Sequence, residues 1–136
     1  MVEAAVVGWP GLVPSRIEID RGGPSYTIDT VEQLKGLDPQ VALTLVVGSD
    51  VVAELPTWKD EPALRDLVSL AVVGRPGAPR VAPPPGWHGV DVSVAPFDVS
   101  STELRRRIEA GESLAGLVPD PVIHCIVQRG LYATGR

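Results

Sequence analysis

Residues 42–50 read Ala42-Leu43-Thr44-Leu45-Val46-Val47-Gly48-Ser49-Asp50, an apolar run that ends in a glycine and two polar residues. A short continuous apolar run is typical of a strand buried on both faces, and the polar residues after it predict a loop. Residues 69–74 repeat this pattern, and residues 90–95 predict a last strand. The chain therefore contains the buried strands of a parallel sheet.

Helical patterns alternate with these strands. One helix follows Ser25 or Thr27, either of which can cap it, and is expected to end near Gly36. The alternation predicts an α/β fold with a parallel sheet, in which ligands bind at the carboxyl ends of the strands. A strand is predicted at 12–20, where Ile17, Glu18 and Ile19 alternate. Short helices are predicted at 51–55, where Pro56 stops the helix, and at 61–67. Later helices begin at Ser100 and Asp120.

The last predicted helix has an apolar face and a clear end. Asp120 and Pro121 begin it, and Val122, Ile126 and Val127 are expected to face inward. Gly130 follows the helix, where glycine commonly terminates helices.

Length and composition narrow the function classes. The 136 residues suit one domain, 1–136, with an irregular Pro/Gly-rich connection at 76–89. The net charge of −5 gives no general attraction to nucleic acid or anionic membranes. The chain shows no secretory signal and no run long enough to span a bilayer, so we expect a cytoplasmic protein. Cys125 is the only cysteine and His88 and His124 the only histidines, which leaves no zinc-ligand spacing.

Polar residues follow the predicted strands. Gly48, Asp50 and Arg75 are expected along one rim of the sheet, with Tyr26 and Thr27 near the same rim. Asp50 can accept hydrogen bonds from ribose hydroxyls or can simply cap a helix. Gly48 can let a ligand approach the backbone or can simply permit the turn.

The segment Val-Ser-Ser-Thr-Glu-Leu-Arg-Arg-Arg at 99–107 predicts a well-made helix start. Ser100 and Glu103 have the spacing of a capping box. Backbone N–H groups at a helix start favour phosphate, and Ser101, Thr102 and Arg105 add suitable donors. The segment is therefore either a triphosphate site or an ordinary surface helix with a good cap.

Trp58 is the most suggestive aromatic residue, because it follows Pro56 and Thr57 in a polar loop. Its ring can stack on a flat ligand or can cover the edge of the core. The neighbouring Lys59 is expected to be solvated, and Trp9 and Trp87 are interpreted as loop or edge packing. We expect His88 to be exposed and assign no catalytic role to it.

Seven short motifs occur in an order and spacing that match one family. These motifs are Pro24-Ser25-Tyr26-Thr27-Ile28-Asp29-Thr30, Gly48-Ser49-Asp50, Leu55-Pro56-Thr57-Trp58-Lys59, Arg75-Pro76-Gly77, Val99-Ser100-Ser101-Thr102-Glu103-Leu104-Arg105, Leu117-Val118-Pro119-Asp120 and Gly130-Leu131-Tyr132. On this basis the chain resembles bacterial nicotinate-nucleotide adenylyltransferase from about Arg16 to Tyr132. The resemblance implies a Rossmann-like nucleotidyltransferase fold and AMP transfer from ATP to nicotinate mononucleotide in NAD biosynthesis, with Mg²⁺ assisting.

The resemblance also implies roles for individual residues. Thr27 and the backbone around Trp58 and Lys59 would hold the nicotinate carboxylate beside Tyr26, and the Trp58 ring would stack on the pyridine. Gly48 and Asp50 would face the ribose or adenine of a nucleotide. The ATP phosphates would be held by Ser100, Ser101, Thr102 and Arg105.

One family segment has no counterpart in the sequence. Family members begin with a strand, a Gly-rich turn and an H-x-G-H motif that binds the ATP phosphates, so we expect an N-terminally truncated domain with no assigned catalytic residue or metal ligand. Removing preorganised charge-stabilising groups costs about 10²-fold or more each, which predicts strongly impaired turnover. The absent strands also predict exposed sheet edges and self-association.

Two other functions fit parts of the pattern. A non-catalytic nucleotide-binding or interaction module would keep the pyridine and phosphate contacts without forming product. A different adenylyltransferase, such as one acting on phosphopantetheine, would share the Ser-Ser-Thr helix start but has no evident need for Trp58 or the motif around Thr27.

Overall fold

The structure, a computed structural model, describes residues 1–74, 81–94 and 99–132. The described residues form two compact units, one of 16–74 with 81–94 and the other of 1–15 with 99–132. The helices are α1 (Val2–Val6), α2 (Ile17–Arg21), α3 (Thr27–Leu37), a 3₁₀ helix (Val52–Thr57), α4 (Glu61–Leu67), α5 (Ser101–Glu109) and α6 (Asp120–Arg129), and the strands are β1 (Thr44–Gly48), β2 (Ser69–Val73) and β3 (Gly89–Val92).

The first unit contains a parallel three-stranded sheet. The strand order is β1-β2-β3, with Val46 paired to Ala71 and Ala71 to Val90. The predicted α/β class and the presence of the three strands are confirmed. The last strand, predicted at 90–95, is β3 at Gly89–Val92, and residue 95 lies outside the described residues. A parallel sheet brings the carboxyl ends of its strands to one edge, where Gly48 ends β1.

One apolar core supports this unit. Leu55, Leu64, Leu70 and Val72 have no solvent-exposed area, and they pack with Ile28 and other apolar side chains. Because side chains alternate along a strand, Leu70 and Val72 lie on the same face of β2. Side chains of the 3₁₀ helix, α3 and α4 pack in the same apolar cluster as Leu70 and Val72.

The predicted strand at 12–20 is wrong, because Ile17–Arg21 forms helix α2. The helix places Glu18 and Arg21 one turn apart, and both bond the Thr30 hydroxyl of α3: Thr30 Oγ1 donates to Glu18 Oε1 at 2.8 Å and accepts from Arg21 Nη2 at 2.8 Å. Ile19 is 68% exposed. The alternation of Ile17 and Ile19 therefore reflects no buried strand face.

Burial of the sheet also differs from the prediction. In β1, Val47 is buried, but Val46 is 64% exposed, so the prediction of a strand buried on both faces is wrong. Val46 points to the opposite face from Val47 and lies on the outer strand of the described sheet. Self-association through this edge stays a prediction.

The connections bring smaller corrections. The prediction that Ser25 or Thr27 caps the first long helix is wrong, because its N-cap residue is Tyr26, with no side-chain cap bond, and Thr27 is its first residue. The helix also passes Gly36 and ends at Leu37. Pro56 does not stop the preceding helix but lies inside the 3₁₀ helix. Within the predicted irregular connection, residues 76–80 lie outside the described residues, and Trp87 is buried in the core.

The second unit contains α1, α5 and α6. Leu114, Val122 and Ile126 form its buried core, as the α6 pattern predicts for the last two, and Gly130 has the left-handed conformation that ends the helix. Val127 is 73% exposed, so its predicted inward position is wrong. None of the helices among the described residues is both long and apolar enough to cross a bilayer.

Candidate functional site

A cavity of about 370 Å³ lies in the unit that contains the sheet. Two short segments form it, and we call it the first cavity. Its lining brings together all four residues that the sequence assigns to substrate binding. The lining residues are Ser25, Tyr26, Thr27, Thr57, Trp58 and Lys59.

Local structure fixes each wall. Tyr26 has an extended backbone immediately before α3, and Thr27 is the first residue of that helix. On the other wall, the Trp58 N–H donates to the Leu55 carbonyl at 3.0 Å, and Thr57 Oγ1 donates to the Glu54 carbonyl at 2.7 Å. The end of a 3₁₀ helix therefore turns Trp58 towards the cavity.

Trp58 covers the edge of the core, as one of its two interpretations expects, and its stacking on a flat ligand stays a prediction. Its side chain is half-buried and packs against the apolar core, and it also lines the first cavity. An aromatic ring supported by a core on one side presents a fixed apolar surface on the other, which suits stacking on a flat ligand.

Lys59 has specific partners, so the expectation of a merely solvated lysine is wrong. Its Nζ lies 2.6 Å from Asp29 Oδ1 and 4.7 Å from the centre of the Tyr26 ring. The hydrogen bond to Asp29 raises the Lys59 pKa above its ordinary value, which favours the charged ammonium. Sequence reasoning missed Asp29, although its position two residues after Thr27, in the first turn of α3, was a signal.

Gly48 and Asp50 lie at the carboxyl end of β1. The Val51 N–H donates to the Gly48 carbonyl at 3.0 Å, which closes a turn. A β-carbon at Gly48 would collide with the Asp50 carboxylate. Glycine at position 48 thus leaves room for the exposed Asp50 side chain at the end of the strand and permits the turn, while the approach of a ligand to this backbone stays a prediction.

At the start of α5, one of the two hydrogen bonds of the predicted capping box is present, the one to the Ser100 hydroxyl. Ser100 Oγ accepts a hydrogen bond from the Glu103 N–H at 3.1 Å. Glu103 uses both carboxylate oxygens to accept from Arg106 and Arg107, each at 2.9 Å. The bond from Arg106 is the main cause that lowers the Glu103 pKa to about 2.

Arg105 differs from the two arginines that follow it. Arg106 and Arg107 pair with Glu103 and Glu112, whereas the Arg105 guanidinium lies 5.5 Å from the centre of the Tyr132 ring. Arg105, Ser101 and Tyr132 also line a second cavity, of about 160 Å³, within the helical unit. Ser100 and Thr102 belong to the same first turn but do not line that cavity.

Other predicted positions contribute less. Arg75 lies outside the described residues. His88 and His124 are exposed, as expected for His88. In the part of the chain that is described, no three His, Cys, Asp or Glu side chains come together as a potential metal site.

Two solved structures share this fold. The chain aligns with the Plasmodium falciparum nicotinic acid mononucleotide adenylyltransferase complexed with NaAD at a TM-score of 0.61 and 15% identity, over 80% of this chain and 58% of that one. For the same protein complexed with APC, the TM-score is 0.63, again at 15% identity, with coverage of 82% and 60%. The nucleotidyltransferase-like α/β fold is therefore confirmed.

Sequence relatives are closer. No protein-family model matches the chain. Proteins named "Probable nicotinate-nucleotide adenylyltransferase" match 97% of it: 40% identity in Gemmatimonas aurantiaca, 38% in Geobacillus thermodenitrificans and 39% in Streptomyces coelicolor. The chain spans 66%, 60% and 71% of these relatives. With 39% identity across 71% of the Streptomyces protein, the chain belongs to the nicotinate-nucleotide adenylyltransferase family.

Proposed function

We propose that the chain binds nicotinate mononucleotide in the first cavity and contributes to adenylyl transfer from ATP to that nucleotide. The observation that carries this proposal is the convergence of Thr27, Trp58 and Lys59 on one cavity in a member of this family. The supported Trp58 ring would stack on the pyridine. The Thr27 side chain and the charged Lys59 would supply hydrogen-bond donors to an anionic substituent.

The proposed reaction needs positioning more than covalent chemistry. A phosphate oxygen of the mononucleotide attacks the α-phosphorus of ATP, the bond from that phosphorus to the bridging oxygen breaks, and pyrophosphate leaves. Catalysis of such a displacement rests on alignment and charge stabilisation. The residues of the first cavity would hold the attacking nucleotide.

ATP contacts form a second part of the proposal. Ser100, Ser101, Thr102 and Arg105 would donate hydrogen bonds to phosphate oxygens at the start of α5, where backbone N–H groups favour anions. In the unit that contains the sheet, Gly48 and Asp50 would face the ribose or adenine of a nucleotide, with the Asp50 carboxylate accepting from ribose hydroxyls.

The family implies Mg²⁺, but the described residues offer it no cluster of three potential side-chain ligands. Mg²⁺ prefers oxygen ligands and commonly binds through one or two carboxylates together with substrate phosphates. Within the described ranges, no cluster of three acidic, histidine or cysteine side chains is present. We therefore assign no protein ligand to Mg²⁺ and no step to the ion.

Titration calorimetry with nicotinate mononucleotide tests the first part. Trp58→Leu should weaken binding by about tenfold, because base–aromatic stacking is worth about 1–3 kcal/mol. Trp9→Leu is the matched control, since Trp9 is 62% exposed and lies in the other unit. Equal affinities for the two variants would contradict the proposed stacking.

A second titration tests the ATP contacts. Arg105→Gln should weaken ATP binding by about tenfold, the scale of a charge-assisted bond. Arg129→Gln removes the same charge from the last turn of α6 and should leave ATP binding unchanged. Detection of nicotinate adenine dinucleotide after incubation with both substrates separates an enzyme from a module that binds nucleotide without forming product.

A further inference from the structure

The two walls of the first cavity are joined at the rim by Lys59. Its ammonium contacts the Asp29 carboxylate at 2.6 Å and the Tyr26 ring at 4.7 Å. Tyr26 belongs to the wall that leads into α3, and Asp29 lies in the first turn of α3, whereas Lys59 belongs to the wall that follows the 3₁₀ helix. Thirty residues separate Asp29 from Lys59 in the sequence, so only the tertiary structure brings them together.

The core fixes the base of each wall but leaves the rim exposed. Ile28, next to Thr27, is 2% exposed, and Leu55, three residues before Trp58, is fully buried. The side chains of Lys59 and Asp29 are 49% and 28% exposed. Long side chains at an exposed rim have many rotamers, and a bonded partner selects among them.

We propose that Asp29 is a positioning residue of the first cavity: by bonding the Lys59 ammonium, it holds Lys59 over Tyr26 and fixes the distance between the two walls. This inference rests on the proposed function, because it takes nicotinate mononucleotide as the occupant of the cavity. Asp29 acts through Lys59 and need not touch the ligand. An ammonium has three N–H donors, so the bond to Asp29 leaves capacity for an acceptor on the ligand.

The opposite effect of Asp29 is physically possible and makes the inference testable. A carboxylate beside Lys59 also neutralises its charge and would then oppose binding of an anionic nucleotide. If positioning dominates, removing the carboxylate weakens binding. If neutralisation dominates, removing it strengthens binding.

Calorimetric titration of Asp29→Asn with nicotinate mononucleotide distinguishes these effects. We expect affinity to fall by about threefold to tenfold, the scale of one exposed ion pair and its bond. Asp29→Glu keeps the carboxylate and should recover part of the loss. Glu32→Gln removes the same charge from the same helix, where Glu32 acts on Lys59 through its charge, and should change affinity less than twofold.

Two outcomes of the titration overturn the inference while the proposed function stands. In one, Asp29→Asn binds the nucleotide more tightly than the unaltered chain. In the other, Asp29→Asn and Glu32→Gln have equal affinities. Circular dichroism of each variant confirms that a loss of affinity is not a loss of folding.

A ligand-free measurement separates this inference from the proposed function. Acetylation of Lys59, followed by mass spectrometry between pH 8 and pH 11, reports the fraction of neutral amine. Because the bond to Asp29 is the largest cause of the raised Lys59 pKa, Asp29→Asn should shift the labelling profile to lower pH by more than Glu32→Gln does. If the unaltered chain fails to bind the nucleotide, the proposed function is refuted. Equal labelling profiles for Asp29→Asn and Glu32→Gln show that Asp29 does not hold Lys59, and they refute the inference whether or not the nucleotide binds.

Discussion

Replacing Gly89 by alanine tests how closely β3 approaches β2. A β-carbon at Gly89 would collide with the carbonyl oxygen of Leu70 and lie 3.0 Å from the Leu70 β-carbon. The carbonyl belongs to the backbone of the middle strand and cannot rotate away. The two strands must therefore separate locally, next to the hydrogen bond that the Leu70 N–H donates to the His88 carbonyl at 2.7 Å.

The expected destabilisation follows from three contributions. Forcing an additional methyl group into a packed site costs about 1–3 kcal/mol, and weakening one ladder hydrogen bond costs up to about 1 kcal/mol. Alanine also restricts the unfolded chain, which adds about 0.4–1 kcal/mol to the unfolding free energy. This gain applies because Gly89 does not have the left-handed backbone conformation that alanine disfavours. The net loss for Gly89→Ala is about 2 kcal/mol of unfolding free energy.

Gly48→Ala is the matched control in the same sheet. There the added carbon meets the end of the exposed Asp50 side chain, and the end of a side chain can shift by rotation about its own bonds, unlike a backbone carbonyl. We expect the unfolding free energy of this variant to change by less than about 0.5 kcal/mol. The comparison therefore isolates a collision with backbone from a collision with a flexible side chain.

Urea unfolding measures both variants. The buried Trp87, two residues before Gly89, gives a fluorescence probe, and far-ultraviolet circular dichroism gives a second one. A loss of about 2 kcal/mol lowers the urea midpoint by about 1 M. Equal midpoints for Gly89→Ala and Gly48→Ala would refute the close approach of the two strands.

Three further predictions concern the helical unit. The Glu103 pKa is lowered from 4.5 to about 2. Glu103 therefore stabilises the folded chain above pH 4.5, and this stabilisation is lost as the pH falls towards 2. Glu103→Gln should remove this part of the acid unfolding transition, measured by circular dichroism. Ser100→Ala should cost about 1 kcal/mol in urea unfolding through loss of the cap bond to Glu103, and an unchanged midpoint would contradict the cap. Ile126→Ala should cost about 3 kcal/mol and Val127→Ala no more than about 0.5 kcal/mol, with equal costs arguing against the observed burial.

Local chemistry made much of the fold predictable. The apolar run before Gly48 predicts β1, and the Ser100 hydroxyl predicts the start of α5, because strands and helix starts depend on neighbouring residues. Gly130 likewise marks the end of α6. In the candidate site, the motifs around Thr27 and Trp58 indicate the two segments that line the first cavity.

Other features depended on distant partners. Ile17 and Ile19 alternate as in a strand, yet Thr30 of α3 bonds the polar side chains between and beyond them and favours a helix. Val127 matches the apolar pattern of α6 but faces solvent. A local pattern reports apolar character and not whether another segment covers it, which is why these two predictions failed.

By itself, the sequence determined the three strands and the family motifs, because each is encoded within a few consecutive residues, and it determined the α/β class through the order in which strands and helices alternate. The tertiary structure decided that Trp58 is both core packing and cavity wall, and that the exposed Lys59 pairs with Asp29. Such contacts join residues far apart in the chain, and their energies depend on distance and burial in three dimensions. No local window of sequence contains that information.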